Sequence, residues 1–468
     1  MIRFRKSLIA IVLIVAASAS PLFGNILELP GYFYGFASGV INFQRSSNVF
    51  IHAYSHARYI LVQYLSLHIV AVVFIAVYSF TRLWRLLFSP LDYKCNLADT
   101  GYLEEGLSKR ETANQVRKRR KIGDIPPVYP NGWFFVILSA DLPVKAVRYV
   151  QILGEHLAVF RGEDGVAYIL DAYCPHLGAN IAVGGQVKGN CVQCPFHGWR
   201  FEGNTGRCVE VPYTKCVPEF AKTKSWNVIE KNKRIYVWYH AEGEEPDWFP
   251  EDIEEIKNGT WHYCGETMHN INCHIEDLPE NGGDLNHLNI LHTPLIASGK
   301  NLNKIFSSFW NFGYHEWIAT WTPLEGDEKH CSVLSILQKA HLFGFHLSFF
   351  DTYVKAKQIG PGIVYMTWES MFFKGVFTHE VTPVEPLLQK LTQTNYGSCP
   401  NIIGKLMLYA EATQLERDVM VWNYKTYLSK PLLLKEDIGI KKHRKWYSQF
   451  YSENSPRLTM AKNKNMEW

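Results

Sequence analysis

The apolar positions fall into three stretches with different periods. The first is a run from Leu8 to Ala17, preceded by Arg3, Arg5 and Lys6 and followed by the small-residue site Ala17-Ser18-Ala19. Residues 1–24 therefore read as a cleaved signal or a short first membrane segment. The second run, Ile60 to Phe80, carries no formal charge and is long enough to cross a bilayer at about 1.5 Å per residue. It predicts a transmembrane helix over 59–81, with Tyr59, Tyr78 and Trp84 as interfacial aromatics. A buried core helix is the competing reading. After Pro126, Pro127 and Pro130 the pattern changes to short alternating or apolar runs, Trp133–Leu138, Ala146–Leu153, Leu157–Arg161 and Ala167–Leu170, separated by Gly and Asp clusters. These predict a small all-β unit extending to the Arg234–His240 strand, residues 125–241. The acidic, proline-bearing joint EGEEPDWFP (Glu242–Pro250) closes it, and strand and helix patterns mix over 250–468. The expected class is α+β: a membrane helix, an all-β domain, then a domain of antiparallel sheet and helices.

Charge adds a direction. The net charge of +4 is too small to argue for nucleic acid, and a composition of 47% hydrophobic and 20% charged residues is globular. The positive charge is concentrated in a basic linker, 82–124, at Arg82, Arg85, Lys109, Arg110, Arg117, Lys118, Arg119, Arg120 and Lys121. By the positive-inside rule this places everything after residue 122 in the cytosol at a membrane, with the endoplasmic reticulum the expected one. Ten cysteines in 468 residues make no dense disulfide framework, which suits a reducing compartment.

Two constellations carry chemistry. Cys174-Pro175-His176 and Cys194-Pro195-Phe196-His197 each place a thiol and an imidazole on one tight loop. Two such loops facing each other can hold a [2Fe–2S] cluster with thiolates on one iron and neutral imidazoles on the other. That charge reduction raises the potential to roughly −150 to +300 mV, against about −400 mV for four-thiolate plant-type clusters. A zinc site uses similar donors but usually as a Cys pair followed by a His pair. Cys191-x-x-Cys194 also reads as a redox pair, without the βαβ pattern expected around one. The second constellation is Glu280-x-x-x-Asp284-x-x-His287-x-x-x-x-His292. Two imidazoles and one carboxylate suit a mononuclear Fe(II) with open positions for O2. Asp284 and His287, three apart, are expected on one helix face. His287 and His292, five apart, can share a metal only if the helix bulges or ends between them.

The stretch CPHLGANIAVGGQVKGNCVQCPFHGWRFEGNTGRC resembles the Rieske domain of ring-hydroxylating and related oxygenases, with Gly178, Pro195, Gly198, Trp199, Phe201 and Gly206 matching beside the ligands. The resemblance implies Cys174 and Cys194 on one iron and His176 and His197 on the other. Ala179 and Phe196 stand where respiratory Rieske proteins carry an extra disulfide. It also implies His287 and His292 as mononuclear iron ligands and Asp284 as a link to a cluster histidine of a neighbouring subunit, within a head-to-tail homotrimer. Glu280 stands where many relatives have Asn. The third ligand is expected from QLERDVMVW, which resembles the family's carboxylate-donating C-terminal helix. Asp418 is the choice, with Glu411 and Glu416 as competitors.

No GxGxxG opens a helix after a strand, so electrons are expected from NAD(P)H through a separate reductase. IPPVYPNGW, CPHLGAN, NHLNILH, QLERDVMVWNYK and KWYSQFYSENSPR resemble the animal cholesterol 7-desaturases, the Neverland group, over nearly all of 60–460. That implies O2-dependent removal of hydrogen from C7 and C8 of cholesterol, giving 7-dehydrocholesterol for steroid hormones of the ecdysteroid type. Hydroxylation of another steroid or lipid by a membrane-anchored Rieske monooxygenase is the alternative, and a pure electron-transfer Rieske protein a third reading. The aromatics Phe306, Phe309, Trp310, Phe312, Tyr314, Trp317, Trp321, Phe343, Phe345, Phe349 and Phe350 read as sheet core or as the wall of a large apolar pocket for a sterol.

Overall fold

The computed structural model describes residues 44–99, 106–119, 123–307, 309 and 312–458, so the signal-like segment 1–24, Arg120, Lys121 and Trp310 lie outside the described residues. The chain divides into two compact units at Phe88/Ser89. In the first, helix α1 runs from Gln44 to Phe88. It exceeds the expected 59–81 span at both ends because neither Gly nor Pro interrupts it before Pro90, which disfavours helix at Ser89. Its stretch His52–Phe88 contains an 18-residue window with a mean hydropathy of 2.4 and meets the length and composition of a membrane span.

The second unit holds both metal-ligand motifs. The basic segment contributes two elements that the charge run concealed: the strand Leu91–Cys95 and helix α2, Lys109–Arg119. Three small antiparallel sheets follow. One pairs Val228–Lys231, Arg234–Tyr239 and Gly132–Leu138, one comprises Val147–Ile152, Glu155–Arg161 and Ala167–Asp171, and one joins four short strands between Gln186 and Glu210.

The rest is built on a nine-stranded sheet. Across it run Leu91–Cys95, His262–Ile271, Leu388–Gly397, Lys374–Glu385, Ile363–Ser370, Thr352–Ile359, Cys331–Leu342 and Gly313–Pro323, with Phe345–His346 beside the seventh. Only the first pair is parallel. The strand period of two gives the sheet two faces. Phe377, His379 and Val381 line a cavity on one face. Their neighbours Thr378, Glu380 and Thr382 point the other way, onto the all-β part. There Arg234 Nε meets Glu380 Oε1 at 2.8 Å with neither side chain exposed, and the guanidinium also donates to Thr378 and Thr394. Tyr236 and Tyr365 surround the pair.

Helix α3, Asp277–Gly283, and the four-residue α4, Leu288–Leu291, precede the long α5, Asn401–Trp422, which packs on the sheet, and α6, Ile438–Tyr447, closes the end. Gly404 sets how closely α5 approaches: a Cβ there would lie 2.3 Å from Cys264 Sγ.

Candidate active site

The two Cys/His loops share one backbone frame. In each, the cysteine N–H donates to the carbonyl five residues on, Cys174 to Ala179 at 2.9 Å and Cys194 to Trp199 at 2.7 Å. The glycine four residues on donates back to the cysteine carbonyl, Gly178 at 2.9 Å and Gly198 at 3.2 Å. Both glycines sit at positive φ, 73° and 76°, where a side chain would be strained. In these frames the Cys174 and Cys194 thiols are buried side by side and the imidazoles are half-buried at the surface. The rings of His176 and His197 stand 4.7 Å apart, and Trp199 stacks on His176. His176 Nδ1 is buried without a hydrogen-bond partner, a polar atom left for a ligand. Burial and the adjacent Cys194 thiol push Cys174 up to about 11, so paired thiolates there require cations beside them. The arrangement fits a [2Fe–2S] cluster. Cys191 lies on the strand leading into the second loop, facing Glu202 across the ladder, outside this frame.

The second constellation also converges. One ligand atom each of His287, His292 and Asp418 lies within 4.8 Å of the other two, and His292 Nε2 is 3.2 Å from Asp418 Oδ1. The two histidines bracket α4 as its caps, so the helix is short enough for both rings to face one point, 5.1 Å apart. The expectation that Asp284 and His287 share a helix face is corrected. Asp284 is the C-cap of α3, with ψ at 84°, and the chain leaves the helix there after the permissive Gly282-Gly283 pair. What reaches His287 is the Asp284 backbone: Nδ1 of His287 donates to that carbonyl, while the Asp284 carboxylate, one-third exposed, stands 4.0 Å away.

The hydrogen bonds fix both imidazoles in a metal-ready tautomer. His292 Nδ1 donates to Gln414 Oε1 at 2.8 Å, and Arg417 donates to the same oxygen at 3.0 Å, which identifies it as the acceptor. With Nδ1 committed outward, each histidine turns Nε2 to the site, as outer partners impose on metal-binding imidazoles. Burial opposes charge on His292, but the Asp418 carboxylate 3.2 Å from Nε2 holds that imidazole above its ordinary value. Arg417 is fully buried and donates to the carbonyls of Leu291, Pro294, Leu295 and Gly299, tying the segment that carries His292 to α5. Burial and the charge of Arg417 push His315, on the cavity wall, down to about 4.

The rival carboxylates separate. Glu416 points away, accepting from Tyr93 at 2.7 Å and pairing with His269 and Lys300. Cys95, His269 and Glu416 also converge, but these donors already satisfy the carboxylate. Glu411 lies on the cavity wall, with an oxygen 3.6 Å from His379 Nε2. Glu280, the departure from the usual Asn, is buried between Lys425 and Arg444. Sequence reading missed Gln414 and Arg417. Gln414 had a signal, since Glu411, Gln414, Leu415, Asp418 and Trp422 follow helical spacing and line one cavity.

That cavity, about 510 Å3, lies between the sheet and α5 and opens on His287, His292 and Asp418. Leu334, Ile336, Val354, Val364, Met366 and Leu391 give it apolar walls. Of the aromatic group, Trp317, Trp321 and Phe350 line it. Phe306, Phe309, Phe343, Phe345 and Phe349 are instead exposed, so neither sheet core nor pocket wall describes them.

Comparison with known proteins agrees with both centres. The Rieske [2Fe-2S] domain family matches residues 132–221, and the family described as 3-ketosteroid 9alpha-hydroxylase C-terminal domain matches 237–451. Cholesterol 7-desaturase nvd of Xenopus laevis is 48% identical over 82% of this chain and 86% of its own. The cholesterol 7-desaturase of Caenorhabditis elegans is 41% identical over 79% and 89%, and that of Drosophila melanogaster 39% over 82% and 92%. Dicamba monooxygenase bound to dicamba shares the fold, with a TM-score of 0.51 at 18% identity over 69% of this chain and 98% of its own. Two matched domain families and relatives of this closeness along most of their length establish that the chain belongs to the cholesterol 7-desaturase family of Rieske non-haem iron oxygenases.

Proposed function

We propose that the protein converts cholesterol to 7-dehydrocholesterol, with the balance cholesterol + O2 + NAD(P)H + H+ giving 7-dehydrocholesterol + NAD(P)+ + 2 H2O. The observation that carries the reading is the apolar cavity of about 510 Å3 opening on His287, His292 and Asp418, within the ~300–1,000 Å3 range of small-molecule sites. On this reading Cys174, Cys194, His176 and His197 hold the cluster, and His287, His292 and Asp418 hold ferrous iron, whose chemistry is the activation of O2. The residues around them do the positioning. Gln414 and the Asp284 carbonyl keep the Nδ1 protons, Arg417 holds the His292 segment, and the aliphatic walls exclude water. Asp284 sits at the protein surface beside His287, placed to meet a cluster histidine of a second copy in a head-to-tail trimer. Electrons come from a separate NAD(P)H-dependent reductase.

The proposed organisation is a membrane span within α1, a basic segment to residue 124, a cluster domain over 125–241 and a mononuclear iron domain over 250–468. The run of basic residues after the span supports a catalytic part on the cytosolic face of the endoplasmic reticulum. The alternative, hydroxylation of another steroid, rests on the match to a 3-ketosteroid 9alpha-hydroxylase domain, against which stand the cholesterol 7-desaturases at 39–48% identity.

Expression in cells that make no 7-dehydrocholesterol, fed cholesterol and assayed by mass spectrometry, separates the two. The desaturase reading expects 7-dehydrocholesterol from the wild type and none from His292→Ala. A hydroxylated sterol in its place moves the assignment to hydroxylase. With the cluster reduced and no sterol product at all, cholesterol is removed as the substrate.

A further inference from the structure

The cavity wall carries a polar group that iron binding does not use. His379 on the strand Lys374–Glu385, Gln393 on the adjacent strand Leu388–Gly397 and Glu411 on α5 meet at one place. Thr267 donates to Gln393 Oε1 at 2.8 Å, which turns the Gln393 amide nitrogen toward His379 Nε2, 3.2 Å away. His379 Nε2 is therefore an acceptor with its donor already supplied. Glu411 Oε1 stands 3.6 Å from the same nitrogen, beyond hydrogen-bond length, and opens to the cavity. Elsewhere on the wall Gln338 bonds His315 Nδ1 at 2.8 Å and Gln358 bonds the Gly360 carbonyl, while His315 Nε2 and Ser332 Oγ are buried without a partner. Glu411 is the carboxyl of the wall that lies seven residues from Asp418.

We propose that Glu411, with His379 packed beside it, forms the subsite that binds the 3β-hydroxyl of the sterol and so sets which carbon faces the metal centre. This deepens the cholesterol reading and rests on it. Gln393 already occupies His379 Nε2, so the Glu411 carboxyl 3.6 Å away is the group left to bond a hydroxyl, which both donates and accepts. The spacing agrees. Glu411 and Asp418 are seven residues apart on the cavity-facing side of α5, about 10 Å along its axis. In a sterol, four carbon–carbon bonds separate C3 from C7, so the hydroxyl oxygen lies about 6 Å from C7. A molecule anchored at Glu411 and lying along α5 brings C7 toward His292 and Asp418, leaving the remaining few ångströms for the reacting groups. Burial pushes Glu411 up to about 7 and keeps the adjacent His379 neutral, its value pushed down to about 4, so no cation there competes with a hydroxyl for the carboxyl.

The test is equilibrium binding of radiolabelled cholesterol and of cholest-5-ene, which lacks only the 3-hydroxyl, to the detergent-solubilised full chain. The wild type is expected to bind cholesterol about tenfold more tightly, the worth of one or two neutral hydrogen bonds. Glu411→Leu should erase that preference while leaving cholest-5-ene affinity unchanged, and Glu411→Gln should keep most of it. Glu411→Met serves as a second variant should Glu411→Leu fail to fold, with cluster absorbance reporting folding. Equal affinity of the wild type for the two sterols overturns the proposal, as does a variant that weakens both sterols alike. The two readings fail differently. Preference without 7-dehydrocholesterol formation removes the desaturase assignment and keeps the subsite. Desaturation without preference does the reverse.

Discussion

Gln414→Leu isolates the contribution of a residue that acts on the metal site through His292. The substitution conserves size and removes the oxygen that accepts from His292 Nδ1 at 2.8 Å and from Arg417 at 3.0 Å. Arg417 retains four carbonyl acceptors, so its position survives. His292 is only 4% exposed, so solvent replaces the lost acceptor poorly. A buried donor left unsatisfied costs about 1–3 kcal/mol. Loss of an outer partner of a metal-binding histidine typically costs about 10–100-fold in metal affinity, or ~1.4–2.7 kcal/mol. The two estimates coincide, and the variant should hold ferrous iron about 10–100-fold more weakly than wild type. Anaerobic competition with a chromogenic Fe(II) chelator measures this, with the visible absorbance of the cluster as an internal standard. Asp418→Ala should lose more than Gln414→Leu, and Gln414→Glu, which keeps an acceptor, should lose less. Unchanged chelator midpoints, or cluster loss in step with iron loss, would refute the reasoning that the Nδ1 hydrogen bond fixes the ligand tautomer.

Two further predictions concern protonation and ligand identity. Burial, reinforced by Glu280, pushes Glu276 up to about 8, so between about pH 4.5 and 8 the folded chain holds a proton that the unfolded chain has lost. Stability should therefore fall with rising pH across that window, by at most about 1.4 kcal/mol per unit from this group. Glu276→Gln should match wild type near pH 5 and exceed it in Tm at pH 8, and parallel Tm curves would sink the assignment. Among the cysteines, Cys194→Ser should abolish the visible spectrum of the cluster whereas Cys191→Ser should preserve it, because only Cys194 lies in the loop frame. A lost spectrum in both variants would return the redox-pair reading of Cys191-x-x-Cys194.

What the sequence made legible was local. Cys174, His176, Cys194 and His197 lie on two short loops, so spacing alone exposes them. His287 and His292 needed only the inference that a helix must stop between them, and α4 does. Asp418 was harder, because three carboxylates share one helix and nothing in the sequence shows which way each points. Sheet pairing decides it, since Tyr93, His269 and Lys300 claim Glu416 from parts of the chain far from α5. The cavity was invisible for the same reason. Its walls are alternate residues of strands such as Thr352–Ile359 and Leu388–Gly397, and which alternate set faces inward depends on what packs behind the sheet. Asp284 was misplaced because the three-residue spacing to His287 suggested one helix, whereas the Gly282-Gly283 pair ends it.

The ion pair behind the sheet bears on modularity. Arg234 belongs to the all-β part and Glu380 to the large sheet, and neither has any exposure. Separating the halves leaves each with a stranded charge, and breaking a buried pair from one side typically costs about 3–5 kcal/mol. Neither half is therefore a cassette that recombination can trade freely. A graft that brings in a foreign cluster domain must bring a cation at this position or change Glu380 with it.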